Sequence, residues 1–235
     1  MVADPILRIA DLAKSFGGFT ALDGVSLDLR EGEVVGLVGP NGSGKTTLIN
    51  VVSGLYPPTR GTVTLAGSPI HGGPPHRVVR SGMNRTFQIP KPLGSLTLSE
   101  NLRVAAAHGA RGRPPEADLL EMVGLAGLER RLASSLNASQ QKRLDLARAL
   151  VTGPRVLLVD ELGAGLSPAE LDFSAEVLRR LATSGIALLV VEHLMGFLAK
   201  ITRRVMVLNA GRQIFEGSLE DAVHDPQVVQ VFLGG

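Results

Sequence analysis

EVVGLVGPNGSGKTTLINVVSG, residues 33–54, decides the fold class. Its first part is a short apolar, β-branched run that reads as a buried strand, and its last part, TLINVVSG, reads as a helix. Between them GPNGSGKTT, residues 39–47, matches G-x-x-x-x-G-K-[ST] in the strand-loop-helix setting that gives the pattern its meaning. Gly39, Gly42 and Gly44 let main-chain N–H groups turn toward phosphate, with Pro40, Asn41 and Ser43 completing the loop. The helix start adds its positive dipole end, Lys45 reaches terminal phosphates, and Thr46, followed by Thr47, brings a hydroxyl to magnesium. A glycine turn that merely enters a helix is the bland alternative, and the flanking strand and helix weigh against it.

Two further apolar segments resemble the first: RVLLVDE (155–161) and ALLVVEH (187–193). With helical patterns between them they read as strands of a parallel α/β sheet. The first ends in Asp160 and Glu161, where phosphate chemistry needs acidic groups. Asp160 suits a magnesium shell, and Glu161 suits a proton acceptor for water attacking the γ-phosphate in line. Helix capping is the ordinary explanation for an isolated Asp-Glu pair. His193, ending the next strand, places an imidazole near the γ-phosphate, although a strand-end histidine is commonly structural. His71, His76, His108 and His224 lack ligand spacing and are assigned no metal.

Outside these strands the pattern changes. LRIADLAKSF and GVSLDLREGE alternate like antiparallel edge strands, and RVMVLNAGRQIFEG reads as a hairpin around Asn209-Ala210-Gly211, so a mixed sheet is expected. Residues 90–151 are helix-rich: ENLRVAAAHGA, EADLLEMVGLAGLERRLA and the helix within SSLNASQQKRLDLARAL, with RGRPP as a loop. In that last helix Leu144, Ala147, Leu150 and Val151 form an apolar stripe, Lys142, Arg143 and Arg148 cover much of the rest, and Asn137 with Gln140 suits a capping box. The expectation is one domain over residues 1–235, with an α/β core lobe (1–89 and 152–235) and an inserted helical lobe (90–151).

Composition narrows the function classes. The 235 residues are 44% hydrophobic, enough for a sizeable core, and 24 Lys and Arg against 22 Asp and Glu leave no nucleic-acid footprint. Cysteine is absent, which removes disulfides, thiolate metal sites and thiol nucleophiles. Apolar runs such as IALLVV fall far short of the ~20 residues that span a bilayer, and MVADPILRIAD is a poor signal peptide. A soluble chain that begins and ends in the cytoplasm is expected.

Taken in order, the phosphate loop, Gln88 in RTFQ, the helix from Asn137, VLLVDE and VEH resemble the ATP-binding cassette family over nearly the whole chain. FGGFTALDGVSL, RTFQIPKPLGSLTLSENL, AGLSPAE, VVEHLMGFL and GRQIFEGSLEDAVHDPQVVQVFLGG resemble, more narrowly, the ATPase subunits of branched-chain amino-acid importers. The resemblance implies a P-loop NTPase fold, ATP and Mg2+ as ligands, and ATP hydrolysis coupled to transport. It implies adenine stacking on Phe16, with Phe19 as the alternative or both rings in the core. It makes Gln88 a link between γ-phosphate, magnesium and the membrane partner, Glu161 the general base, and His193 the switch histidine. The metal set is Thr46, Gln88 and Asp160.

The same resemblance makes LNASQ the signature segment. Asn137, Ser139 and Gln140 would then face ATP held by the second subunit of a head-to-tail dimer, a homodimer or heterodimer, with hydrolysis needing both chains. Permease subunits, and indirectly a solute-binding protein, are the other implied partners, with no nucleic acid and a peripheral place on the cytoplasmic face of the membrane. Several positions depart from the family pattern. Asn137, Ala138 and Ser139 replace the S-G-G of L-S-G-G-Q; a Cβ at Ser139 obstructs main-chain approach to phosphate, while its hydroxyl offers a substitute donor. Leu162, Ser167 and Leu194 stand where Pro, Asp or Asn, and Asp are usual. These departures leave two other readings, an ATP-binding member of an asymmetric pair with an impaired signature, and a lipid-exporter cassette. A soluble cassette acting on nucleic acid or ribosomes fits less well with one cassette and balanced charge.

Overall fold

The computed structural model describes residues 4–109 and 115–233. In chain order, β1 (Leu7–Phe16) and β2 (Phe19–Leu29) precede β3 (Val34–Val38) and α1 (Lys45–Val52), followed by β4 (Arg60–Leu65), β5 (Ser68–Pro69), α2 (Pro75–Arg80) and β6 (Met83–Arg85). Next come α3 (Leu98–Ala106), α4 (Glu116–Met122), a short 3-10 turn at Ala133–Ser135, and α5 (Ala138–Leu150). The chain continues through β7 (Val156–Asp160), α6 (Pro168–Thr183), β8 (Ala187–Val191), α7 (Met195–Ile201), β9 (Arg204–Asn209), β10 (Arg212–Ser218), α8 (Leu219–Ala222) and α9 (Pro226–Leu233).

The central sheet has six strands in the order β10-β9-β3-β8-β7-β6, parallel except for β10. Every residue of β3, β7 and β8 is buried, because both faces of the sheet are covered and no alternation with polar residues is called for. Side-chain alternation divides the core into two layers. Leu157, Val159, Leu188 and Val190 point into one apolar cluster shared with α3, α4, α5, α6 and α7. Val156, Leu158, Leu189 and Val191 point into another, shared with α1 and the first strands.

Those first strands do not extend the central sheet. They form a separate four-stranded antiparallel sheet, β2-β1-β4-β5, laid over α1, whereas the sequence suggested edge strands of one mixed sheet. Their alternation is the physical reason: Leu7, Ile9, Leu22, Val25 and Leu27 line one buried face, which is satisfied by packing face to face rather than edge to edge. The expected hairpin is present, with Ala210 and Gly211 both at positive φ (44° and 79°) as a two-residue turn requires.

In the helix-rich stretch, the EADLLEMVGLAGLERRLA pattern forms a helix only as far as Met122. Gly124 and Gly127, at φ 68° and 80°, turn the chain out of the helix. The RGRPP loop lies outside the described residues except for Pro115, the N-cap of α4. Leu144, Ala147, Leu150 and Val151 of the α5 region are all buried.

The phosphate-loop backbone is wedged between β2 and the β9–β10 turn. The Gly211 N–H donates to the Ser43 carbonyl at 2.9 Å, and the Asp23 N–H donates to the Gly211 carbonyl at 2.8 Å. A Cβ at Gly39 (φ 151°) would lie 2.2 Å from the Leu208 carbonyl oxygen, and one at Gly44 (φ 107°) 2.9 Å from that of Ala21. Gly67, at φ 76°, has open space around it. Gly39→Ala is therefore expected to cost at least about 3 kcal/mol through combined overpacking and backbone strain, and Gly67→Ala only about 1 kcal/mol from its conformation. Thermal denaturation of the two variants checks the contrast.

Candidate functional site

Among the described residues, the helix that follows the phosphate loop has no side-chain partner at its first turn. α1 has Gly44 as N-cap with no side-chain cap and no acidic residue in its first turn, whereas α3, α5 and α6 each carry a complete capping box. An uncapped start with free N–H groups suits an anion. Lys45 folds back, Nζ donating to the carbonyls of Gly39 (2.7 Å) and Pro40 (2.9 Å), and burial lowers its pKa against the opposing pull of Glu161 and Asp160. The Ser43 hydroxyl is buried without a hydrogen-bond partner among the described residues. An orphaned hydroxyl, a lysine held only by loop carbonyls and three positive-φ glycines (Gly39, Gly42, Gly44) together fit a polyphosphate.

Parallel pairing brings the end of β7 to the same edge. Asp160 is 5% exposed, its N–H donates to the Thr86 hydroxyl at 3.1 Å, and Arg85 Nη2 stands 3.5 Å from its Oδ2. Burial raises the Asp160 pKa, with Arg85 pulling it back. Glu161 sits at φ 48°, a left-handed backbone for a non-glycine residue, which turns the chain sharply out of the strand. Gln88 Nε2 donates to Glu161 Oε2 at 2.6 Å. Two residues 73 apart in sequence are thus brought together. Thr46 is exposed on the first turn of α1.

Behind Glu161 the backbone is gripped from two sides. From α5, Lys142 Nζ donates to the carbonyls of Glu161 (3.1 Å), Leu162 (3.1 Å) and Ala164 (2.6 Å). From the end of β8, Glu192 Oε1 accepts the Gly163 N–H at 2.6 Å. Glu192 is 1% exposed, and burial raises its pKa. His193, the next residue, is exposed.

The start of α5 is capped in cis: Asn137 Oδ1 accepts the Gln140 N–H at 2.8 Å, and Gln140 Oε1 accepts the Asn137 N–H at 3.2 Å. The Ser139 hydroxyl is buried and faces Glu170 at the start of α6 without completing a regular hydrogen bond. It therefore points into the protein instead of outward as a substitute phosphate donor. Phe16 and Phe19 are both exposed, 43% and 67%, which removes the core alternative. Phe16 meets Tyr56 edge-on at 5.3 Å and has Lys14 Nζ 4.8 Å above its ring.

Lys142, Arg85, Glu192 and Asp145 are the residues that sequence reasoning missed. Asp145, 5% exposed on α5, accepts the Phe87 N–H at 2.9 Å and so fixes the segment carrying Gln88. A charged residue on the flank of an apolar stripe was the one available signal, and it does not name a partner. Among the described residues, no group of three or more His, Cys, Asp or Glu is placed to hold a metal, and no helix is long and apolar enough to cross a membrane.

An exposed anion-binding helix start beside a buried Asp, a paired Gln and Glu and a strand-end His, on this sheet order, defines a nucleotide-hydrolysing P-loop cassette. The ABC transporter family model matches residues 22–164. The chain belongs to the ATP-binding cassette family of ABC transporters and is one of its ATPases. It is 36% identical to the high-affinity branched-chain amino acid transport ATP-binding protein BraF of Pseudomonas aeruginosa, covering 98% of each chain. It is 36% identical to LivG of Salmonella typhimurium, a protein of the same description, over 99% of each. A crystal structure of the ADP conformation of an ABC-transporter ATP-binding cassette superposes with a TM-score of 0.89 at 32% identity, over 99% of this chain and 100% of that one. A dimeric cassette in a post-hydrolysis state, bound to ADP and Pi, superposes at 0.81 with 26% identity, over 91% and 98%.

Glu170 offers a pH test of the α5–α6 contact. The nearby Ser139 hydroxyl that faces it, and the Ser167 N–H and hydroxyl that donate to it, keep its carboxyl down from 4.5 to about 2. A depressed carboxylate pKa contributes stability that is complete above about pH 4.5 and is lost as pH falls toward 2. Glu170→Gln should flatten the stability profile in that window, and superimposable thermal profiles for variant and wild type between pH 2 and 7 would reject the assignment.

Proposed function

We propose that the chain is the ATP-hydrolysing subunit of an importer for branched-chain amino acids or related small solutes, working as one of two cassettes beneath permease subunits at the cytoplasmic face of the membrane. The observation that carries the reading is the Gln88–Glu161 contact at 2.6 Å beside an uncapped phosphate-loop helix, within a chain that aligns over 98–99% of its length with branched-chain amino acid transport ATP-binding proteins. Phe16, exposed at the tip of the β1–β2 hairpin, stacks on adenine. The loop of Gly39, Pro40, Asn41, Gly42, Ser43 and Gly44 with Lys45, Thr46 and Thr47 cradles the phosphates.

Thr46, Gln88 and Asp160 would hold Mg2+, which when bound would neutralise charge developing on the phosphates. Hard-oxygen donors of this kind suit that ion. Glu161 accepts a proton from water as its oxygen bonds to the γ-phosphorus, and the bond to the bridging oxygen breaks with its electron pair leaving on ADP. His193 contacts the γ-phosphate. Gln88 donates to Glu161 Oε2 through Nε2, which leaves its Oε1 as the oxygen that would face the metal. The permease docks beside Gln88, where Ile89 is exposed and Phe87 lines a 150 Å³ groove together with Leu55, Val78, Val79 and Met83.

A second reading, an asymmetric pair in which LNASQ weakly caps the neighbour's site, is favoured by the inward-facing Ser139 hydroxyl. Comparing the ATPase rate of the chain alone with that of the chain plus a cassette bearing an unaltered signature decides between them. Equal brisk rates remove the asymmetric reading.

Glu161→Gln in the assembled transporter should keep MgATP affinity while hydrolysis falls at least ~100-fold, as for removal of a general base. Near-wild-type turnover would displace Glu161 from that role. Lys45→Ala should weaken nucleotide binding at least ~10-fold through loss of a charge-assisted contact, measured by titration with a fluorescent ATP analogue.

A further inference from the structure

The segment that follows Glu161 carries no regular secondary structure, yet three of its carbonyl oxygens converge on one atom. Lys142 Nζ donates to Glu161, Leu162 and Ala164 at 3.1, 3.1 and 2.6 Å. An ammonium has three donors in a tetrahedral array, and here all three are used on backbone. The segment needs such a hold, because Glu161 occupies a left-handed backbone conformation at φ 48° that an unrestrained chain would leave. On its other side Glu192 takes the Gly163 N–H at 2.6 Å, and Gly163 is packed so closely that a Cβ would lie 3.0 Å from the Glu192 carboxylate.

Lys142 stands five positions after Asn137 in the same continuous helix, α5, whose apolar stripe is buried in the core. A shift of the start of α5 therefore reaches the backbone of Glu161 directly, within one chain. We propose that Lys142 is a positioning residue that fixes the catalytic Glu161 and transmits the state of the α5 start to it. The proposal rests on the assignment of Glu161 as general base. It gives a route between the signature segment and the hydrolytic centre that does not depend on Ser167, where the usual Asp or Asn is missing.

The test uses Lys142→Met, which keeps the stem and removes the donors, and Lys142→Arg, which keeps donors. In the assembled transporter Lys142→Met should lower kcat about 10- to 100-fold, the scale of a catalytic group misplaced by about 1 Å, with KM for ATP within about twofold, since the phosphate loop is untouched. Lys142→Arg should recover part of that loss. A kcat for Lys142→Met equal to wild type, or a fall in affinity that accounts for the whole effect, overturns the proposal.

Amide exchange on the full-length chain without nucleotide gives a second measurement. Gly163, Ala164 and Leu166 should exchange at least ~10-fold faster in Lys142→Met while the amides in the middle of α5 are unchanged, and an unchanged rate at those three positions also overturns it. If Lys142→Met does not fold, Lys142→Gln, which retains one amide donor group, takes its place in both measurements. A wild-type transporter that binds but never cleaves ATP would defeat the assignment of Glu161 as base, and the exchange rates would still decide whether Lys142 holds the segment.

Discussion

Parallel pairing of three buried five-residue strands is the constraint on which the rest depends. β3, β8 and β7 are hydrogen-bonded in that order with no exposed residue in any of them, so their first polar residues can appear only where each strand leaves the sheet. Because they run the same way, those exits lie together. Gly39 after β3, Glu161 after β7, and Glu192 with His193 after β8 are neighbours for this reason, and the site occupies the edge where open α/β sheets commonly bind ligands. The antiparallel sheet adds a floor: by packing on α1 and on the β9–β10 turn it leaves the phosphate loop a backbone path that only glycine fits at Gly39 and Gly44.

Concentrating polar residues at one edge brings several carboxylates into low-dielectric surroundings. Burial raises the pKa of Asp145, Asp160 and Glu192, and the same desolvation lowers Lys45, Arg85 and Lys142. Asp160 and Arg85 are both penalised as ions, so their contact is a poor candidate for net stabilisation. The value of these buried contacts is positional. Arg85 links Asp160 to Asn50 of α1, Asp145 holds the Phe87 N–H one residue before Gln88, and Lys142 holds the backbone of Glu161. Breaking one of them leaves a buried group uncompensated, which is why their replacement should be felt in geometry as well as in stability.

The parts legible in the sequence are those whose cause is local. The phosphate loop, the acidic strand ends, the Ala210-Gly211 hairpin and the Asn137–Gln140 capping box follow from spacing, turn chemistry and period. The missed parts are those whose partners are backbone groups far along the chain. Lys142 finds carbonyls 19 to 22 residues away, and Asp145 finds an N–H 58 residues away. A helical period marks both residues only as not apolar. The separate antiparallel sheet was missed because alternation reports which face is buried and not which layer buries it. The early end of α4 was missed because apolar residues continued through Gly124 and Gly127 without the backbone that would have carried them.

The start of α5 is largely committed to its own chain. Its capping box uses the side-chain oxygens of Asn137 and Gln140 and the N–H groups of both residues, so the main-chain donors left at this helix start are the N–H groups of Ala138 and Ser139, beside the side-chain NH2 groups of Asn137 and Gln140. Both residues carry a Cβ where the family usually has glycine, and the one hydroxyl is turned toward Glu170. What remains is two main-chain N–H groups, the two side-chain NH2 groups and the helix dipole, the last worth about 0.3–1 kcal/mol toward an exposed charge. On the asymmetric reading proposed above, this start would cap a neighbour's nucleotide without the glycine backbone of the usual signature, while the chain's own phosphate loop, Asp160, Gln88 and Glu161 lie at one edge of the sheet. A pairing in which the other subunit supplies a glycine-bearing signature would put the stronger cap over the more complete hydrolytic site, and the weaker cap over the site that needs only to bind.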